Sequence, residues 1–483
     1  MSSTRVSLLF SFVEKYLLVL LSLAASMIIS RLLTPLEAGI YSVAAVLLGV
    51  AQVLRDFGAG QYVVQERELD RAKLRAVLGA SFLFAWPLAA LIALLGWPLA
   101  AFYREPALAP LLQLLALNFL LLPFSSVILP MLRRQNRYGA ICAINLLHGL
   151  AGVVVSVALA LRGLGVMSMA WGSVAATGAA LLLALWLSPP AMPWLPARTG
   201  IREVIVFGAY ATGGNLIDEA GAAAPDLVIG KMIGMDAVGM FGRALAVLAV
   251  FHKAVTNAVT PVVYPLYAEH VRFGDDVRDV YLRTVSYMTA FAWPFFACVG
   301  VMALPILRLL YGEQWDAAAP LIRIMCFSSA IYSMSSMSRY FLVAIGQVRA
   351  QARLDGLTVP VRIALLILAA PFGLDAVAWA VVGATVFRVT ITMRCLTLLG
   401  GISVAQVARA SSKGLLLTAI SVLAPASALT LSPDSPGVAT PAIAALASGA
   451  SLLLWLAGIV LIRHPLIDEL NLARRKLAAA LSH

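Results

Sequence analysis

Uninterrupted apolar runs, each long enough to cross a bilayer at roughly 20 residues per helix, follow one another along almost the whole chain. They do not alternate polar with apolar, so an all-β barrel is excluded. With 61% hydrophobic and 12% charged residues among 483, and a mean hydropathy of +0.93, the composition inverts that of a soluble domain. A soluble enzyme, a disordered chain and a disulfide scaffold are set aside. The expected fold is an all-α integral membrane protein.

Fourteen crossings are expected, near residues 8–30, 37–61, 77–102, 110–132, 139–161, 168–187, 204–228, 238–263, 284–310, 319–345, 355–371, 376–398, 413–431 and 440–462. The first run is read as a membrane helix rather than a cleaved leader. With a cytoplasmic N-terminus, 21 of the 35 basic residues fall in cytoplasmic loops and five in the opposite ones. This positive-inside bias argues for an even span count and two cytoplasmic termini. The net charge of +12 is therefore a topology signal, and no nucleic-acid partner is expected.

An internal repeat sets the organisation. Arg31-Leu32-Leu33 with Gly39-Ile40-Tyr41 recurs as Lys231-Met232-Ile233 with Gly239-Met240-Phe241. Phe84-Ala85-Trp86-Pro87 recurs as Phe291-Ala292-Trp293-Pro294, and Gly165, Ala170 and Trp171 recur as Gly373, Ala378 and Trp379. Two six-helix lobes in parallel orientation are implied, a recurrent transporter plan with the site expected between the halves. The expected domains are 1–188 (N-terminal lobe), 189–203 (Pro-rich linker), 204–398 (C-terminal lobe), 399–462 (two added helices) and 463–483 (basic tail).

No phosphate loop, metal-ligand cluster or nucleophile–base pair is legible, so no catalytic residue, metal or cofactor is expected. The four cysteines read as buried small hydrophobes, and His148 and His252 as packed or hydrogen-bonded rather than ligands. Charges within the spans stand out, because each costs ~2.5–3.5 kcal/mol or more near the bilayer centre. Lys15, Arg323 and Arg394 lie near enough to span ends to snorkel. Lys253, Arg388, Arg362, Arg243, Arg339 and Arg55 are the candidates for a cationic cavity that would attract a phosphate or pyrophosphate. Asp218, Glu219 and Asp56 are candidates for ion coupling or a charge network, and Asp218 and Glu219 for neutralising Lys253 or Arg388. Gly208, Gly213, Gly214, Gly221 and Pro225 point either to a bend in that span or to close helix packing.

The segment Ser30-Arg31-Leu32-Leu33-Thr34-Pro35-Leu36-Glu37-Ala38-Gly39-Ile40-Tyr41, then Arg55-Asp56-Phe57-Gly58-Ala59-Gly60 and Val64-Gln65-Glu66, resembles the N-terminal signature of bacterial polysaccharide-export flippases. These belong to the multidrug/oligosaccharidyl-lipid/polysaccharide superfamily, and the lipopolysaccharide and exopolysaccharide repeat-unit translocases of colanic-acid exporter type are the nearest likeness. The resemblance implies twelve core helices in two lobes plus two more, in the bacterial inner membrane. It implies movement of an undecaprenyl-pyrophosphate-linked oligosaccharide to the periplasmic leaflet. Lipid-linked oligosaccharide and membrane lipid are then the partners, with a glycan polymerase and chain-length proteins beside them. An ion-coupled drug antiporter of the same superfamily is the alternative, and calls for mainly acidic interior charge. A membrane-embedded glycan polymerase calls for a large periplasmic loop, which the sequence lacks.

Overall fold

The computed structural model describes residues 2–56, 59–66, 68–188, 195–197, 200–430 and 441–467, and every long element among them is a helix. In chain order these are α1 (Ser2–Leu32), α2 (Pro35–Asp56), α3 (Arg71–Tyr103), α4 (Leu108–Ser125), α5 (Tyr138–Leu161), α6 (Val166–Trp186), α7 (Ile201–Met232), α8 (Met235–Phe273), α9 (Val277–Val301), α10 (Ala319–Ser333), α11 (Val348–Ala369), α12 (Leu374–Gly400), α13 (Val404–Thr430) and α14 (Pro441–Leu461). Among the described residues, twelve helical segments are long and apolar enough to cross a membrane. They coincide with twelve of the fourteen expected crossings. The other two positions hold α1, with a shorter apolar stretch at Tyr16–Leu32, and α7.

The chain divides into two compact units, Met1–Met240 and Phe241–His483. In the first, α5 packs on α6 and α1, α3 on α4, and α2 on α7. In the second, α9 carries both α10 and the C-terminal pair α13 and α14, while α12 packs on α10 and α11. Large apolar side chains face outward on both units, for example Val154, Leu182 and Trp186 in the first and Leu398, Leu446 and Leu453 in the second. Water does not tolerate so much contiguous exposed hydrocarbon, whereas lipid does. The protein is a multi-pass membrane protein.

Apolar burial gives little drive for helix association in lipid, so close packing of small residues takes over. Gly152 and Ser156 on α5 interlock with Gly172 and Ala176 on α6. A Cβ on Gly172 would fall on the Ser156 hydroxyl and 2.8 Å from the Gly152 carbonyl oxygen, and one on Gly152 would lie 3.2 Å from the Ala176 Cβ. The glycine-rich span is helical from Ile201 to Met232, with Pro225 inside the helix. Where it meets α2 it packs closely, since a Cβ on Gly230 would lie 3.1 Å from Val43.

Local sequence explains the helix starts. Thr34 and Glu37 form a reciprocal cap on α2. The Thr34 N–H donates to Glu37 Oε2 at 2.8 Å, and the Glu37 N–H donates to Thr34 Oγ1 at 3.3 Å. Pro35 occupies the first helical position, where its missing N–H costs nothing. Ser403 and Gln406 repeat the device at α13.

Candidate functional site

Gln351, Asp355, Thr358 and Arg362 recur on α11 at intervals of four, three and four residues, which places them along one helical face. The first three are buried. Arg388 on α12 donates from Nη2 to Asp355 Oδ1 at 2.8 Å and from Nη1 to Thr358 Oγ1 at 3.1 Å. Gln351 Nε2 donates to the second carboxylate oxygen, Oδ2, at 2.8 Å. Arg339, on the short helix Ser338–Ala344, brings Nη2 to 3.9 Å from that same oxygen. Arg362 is close enough to Arg388 for their like charges to repel, and its buried Nε meets no acceptor among the described residues.

Three of the expected cations, Arg339, Arg362 and Arg388, are thus brought near one another, and two of them, Arg339 and Arg388, share one carboxylate. A buried charge is tolerated when paired and hydrogen-bonded, and Asp355 meets that need for Arg388. The sequence reading missed Asp355 because it sits at the start of its span, where an acidic residue passes for a loop neighbour. The spacing of the four polar residues at helical intervals was the available signal. Asp355 is thus a counter-ion of Arg388 that the sequence did not single out.

Lys253 stands apart in character. It lies on a π-helical turn, His252–Thr256, that interrupts α8, and its side chain is exposed. Such a turn re-aims side chains and is frequent at functional sites. Two turns on, Tyr264 packs on Tyr340, next in sequence to Arg339, with ring centroids 6.1 Å apart.

The other candidates are differently placed. The Arg243 guanidinium lies over the rings of Tyr311 and Trp315, at 5.4 and 5.0 Å from their centroids. Trp315 is fully buried, so this cation is held on aromatic faces. In the first unit Arg55 lies 5.9 Å from the Phe119 centroid. Glu219 Oε1 rests against Gly49, 2.5 Å from where a Cβ would stand. The side chains of Asp218, Asp56 and Lys15 lie outside the described residues, as do most of the Pro-rich linker and the tail beyond residue 467. Arg323 and Arg394 are exposed, in keeping with snorkelling, and His148 and His252 are exposed too. Among the described residues no His, Cys, Asp and Glu cluster could hold a metal, and the four cysteines are free.

The second unit also contains a cavity of about 400 Å³, lined by Phe251, Phe291, Phe295, Cys298, Pro425 and Trp455 among others. Its three serines, Ser421, Ser448 and Ser451, each spend their hydroxyl on a backbone carbonyl, those of Leu417, Ala444 and Ser421 at 2.7, 2.8 and 2.9 Å. With no charge in its wall it suits hydrocarbon and not a headgroup.

Comparison with known proteins gives the family and the fold. Residues 28–320 match the family described as polysaccharide biosynthesis protein. The chain belongs to that family. Relatives include the teichuronic acid biosynthesis protein TuaB of Bacillus subtilis, 20% identical over 62% of this chain and 62% of that protein. The lipopolysaccharide biosynthesis protein WzxC of Escherichia coli is 20% identical over 68% of this chain and 67% of that one. The matched stretch therefore spans under two thirds of the Bacillus relative's length. Among solved structures, the lipid II flippase MurJ in an inward closed conformation superposes with a TM-score of 0.77 over 95% of this chain and 100% of that one, at 11% identity. The likeness establishes the fold. Arg339, Asp355, Arg362 and Arg388 all lie beyond residue 320, outside the stretch that the family model matches.

The residues that carried the resemblance turn out to hold the fold. Thr34, Pro35 and Glu37 start α2, and Leu33 is buried at 1% exposure. Glu66 pairs with Lys73 at 2.8 Å, which holds the Glu66 carboxyl below its usual range. Arg134 donates to the carbonyls of Val63 and Glu66.

Proposed function

We propose that the chain is a flippase for an undecaprenyl-pyrophosphate-linked oligosaccharide repeat unit, carrying it from the cytoplasmic to the periplasmic leaflet of a bacterial inner membrane. It works by alternating access, without catalysis, and supplies lipopolysaccharide or exopolysaccharide assembly. Both termini are cytoplasmic, and a glycan polymerase with chain-length proteins takes the product.

The observation that carries this reading is the group of three guanidiniums on α11, α12 and Ser338–Ala344, inside a multi-pass member of a polysaccharide family. A headgroup of sugars and pyrophosphate cannot enter hydrocarbon unaided, because its charge and hydroxyls would lose their water without replacement. Guanidinium forks supply that replacement for phosphate oxygens. Lys253, exposed on its π-turn, adds a point charge on the same unit. The Tyr264–Tyr340 pair offers aromatic faces beside Arg339. The drug-antiporter alternative calls for an acidic interior, and the described cluster has three cations to one carboxylate.

The test is the lipid-linked glycan pool of a deletion strain, read by mass spectrometry of extracted polyprenyl lipids. Accumulated undecaprenyl-pyrophosphate repeat units, cleared by the wild-type gene and not by Lys253→Ala, support the reading. An unchanged pool with normal surface glycan overturns it.

A further inference from the structure

Both terminal nitrogens of Arg388 are already engaged, Nη2 on Asp355 and Nη1 on Thr358. The end-on fork that binds phosphate best is therefore occupied by two residues of the protein itself. The carboxylate sits at the back of the cluster: its side chain is 10% exposed, against 28% for Arg388 and 48% for Arg339. An anion arriving from the open side meets the guanidiniums first. Asp355 also has a second anchor that involves no cation, because Gln351 on its own helix donates to Oδ2 at 2.8 Å. Two further polar atoms beside the pair stand without partners among the described residues, the donor Arg362 Nε and the acceptor Gln351 Oε1. The cluster holds more donor capacity than one carboxylate uses.

We infer that Asp355 is an exchangeable internal anion, which holds Arg388 and Arg339 in the empty protein and yields them to the phosphates of a diphosphate ligand, falling back on Gln351. The inference rests on the proposed diphosphate-lipid reading and adds a device to it. The empty site keeps its cations paired, so it avoids the cost of buried unpaired charge. The ligand then exchanges one ion pair for another, and no guanidinium is stripped bare. A monoanion offers one partner for two arginines, whereas a diphosphate offers one to each.

The experiment uses the full-length protein in lipid nanodiscs with inorganic pyrophosphate as probe. Calorimetric titration compares wild type, Asp355→Asn and Arg388→Gln. Asp355→Asn keeps the shape and removes the competing charge, so it is expected to bind pyrophosphate about tenfold tighter or more, while Arg388→Gln binds at least about tenfold weaker. A second measurement needs no variant. Carbodiimide labelling of Asp355 in the wild-type protein, read by peptide mass spectrometry, is expected to rise severalfold on saturation with pyrophosphate, because the freed carboxylate becomes reactive. Unchanged or weaker binding by Asp355→Asn, or labelling that stays level or falls, overturns the exchange. If Arg388→Gln still weakens binding in that case, the cationic headgroup site survives alone. If wild-type protein takes up no pyrophosphate, or Arg388→Gln leaves uptake unchanged, the exchange and the cationic site fail together.

Discussion

Gly39 and Gly239 face each other at reciprocal contacts within the first unit. A Cβ on Gly39 would fall on the carbonyl oxygen of Met235 and lie 3.0 Å from the amide nitrogen of Gly239, and a Cβ on Gly239 would fall on the carbonyl oxygen of Pro35. The same two glycines occupy matching positions of the internal repeat, each following a basic-apolar-apolar triplet. Each glycine supplies the notch that admits the backbone beside the other. Gly39→Ala and Gly239→Ala are each expected to lose ~1–3 kcal/mol or more from overpacking. Fluorescence-detected size exclusion and thermal unfolding in detergent measure it; unchanged profiles for both variants would contradict the close approach.

Lys253→Ala and Arg388→Ala are expected to part company. Lys253 is exposed on its π-turn, so its loss leaves yield and melting near wild type while repeat-unit translocation falls at least about tenfold. Arg388→Ala leaves the Asp355 carboxylate short of its main cation, and breaking such a buried pair typically costs ~3–5 kcal/mol. Translocation and melting temperature then fall together. Equal melting for the two variants, alongside equal activity loss, would count against the pairing as a structural contributor.

His464 predicts a pH dependence. Fully buried, it accepts the Leu466 N–H at Nδ1 (3.2 Å), so the ring proton sits on Nε2, which donates to Ser286 Oγ at 3.1 Å. Burial, and then the positive Lys413, push its pKa below the ordinary 6.5. The unfolded chain thus takes up a proton at about pH 6.5 that the folded protein refuses. Stability is expected to be level above that pH and to fall by at most ~1.4 kcal/mol per unit as pH drops below it. His464→Gln, which cannot titrate there, removes this component of the slope. Melting curves from pH 5 to 8 decide it.

Thr34→Val tests whether the signature segment serves the fold. The substitution keeps shape and deletes the oxygen that receives the Glu37 N–H. A loss of ~1 kcal/mol is expected from the broken cap, with pyrophosphate affinity unchanged. Weakened pyrophosphate binding at unchanged melting would instead assign the motif to the ligand.

The fold was legible in the sequence to the extent that it depends on periodicity and transfer free energy. Long apolar blocks admit only helices in lipid, since every backbone N–H and C=O must be satisfied within its own segment. Twelve crossings follow from that rule at the expected places. Thr34-Pro35-Leu36-Glu37 and Ser403 with Gln406 were equally readable, because a cap is a contact between residues three apart.

The cationic character of the second unit was legible as well, since an arginine in mid-span is costly wherever it points. Which arginine meets which partner was not. Arg388 finds Asp355 across 33 positions in the chain, and Arg339 reaches it from another helix. Arg243 has the same residue type and also lies within a span, yet it rests on Tyr311 and Trp315. Sequence alone determined that this chain crosses the membrane many times and carries cations there. Only the tertiary structure decided that two of them share one aspartate, because helix rotation and approach are set by side-chain packing between segments distant in the chain, and no local pattern encodes that choice.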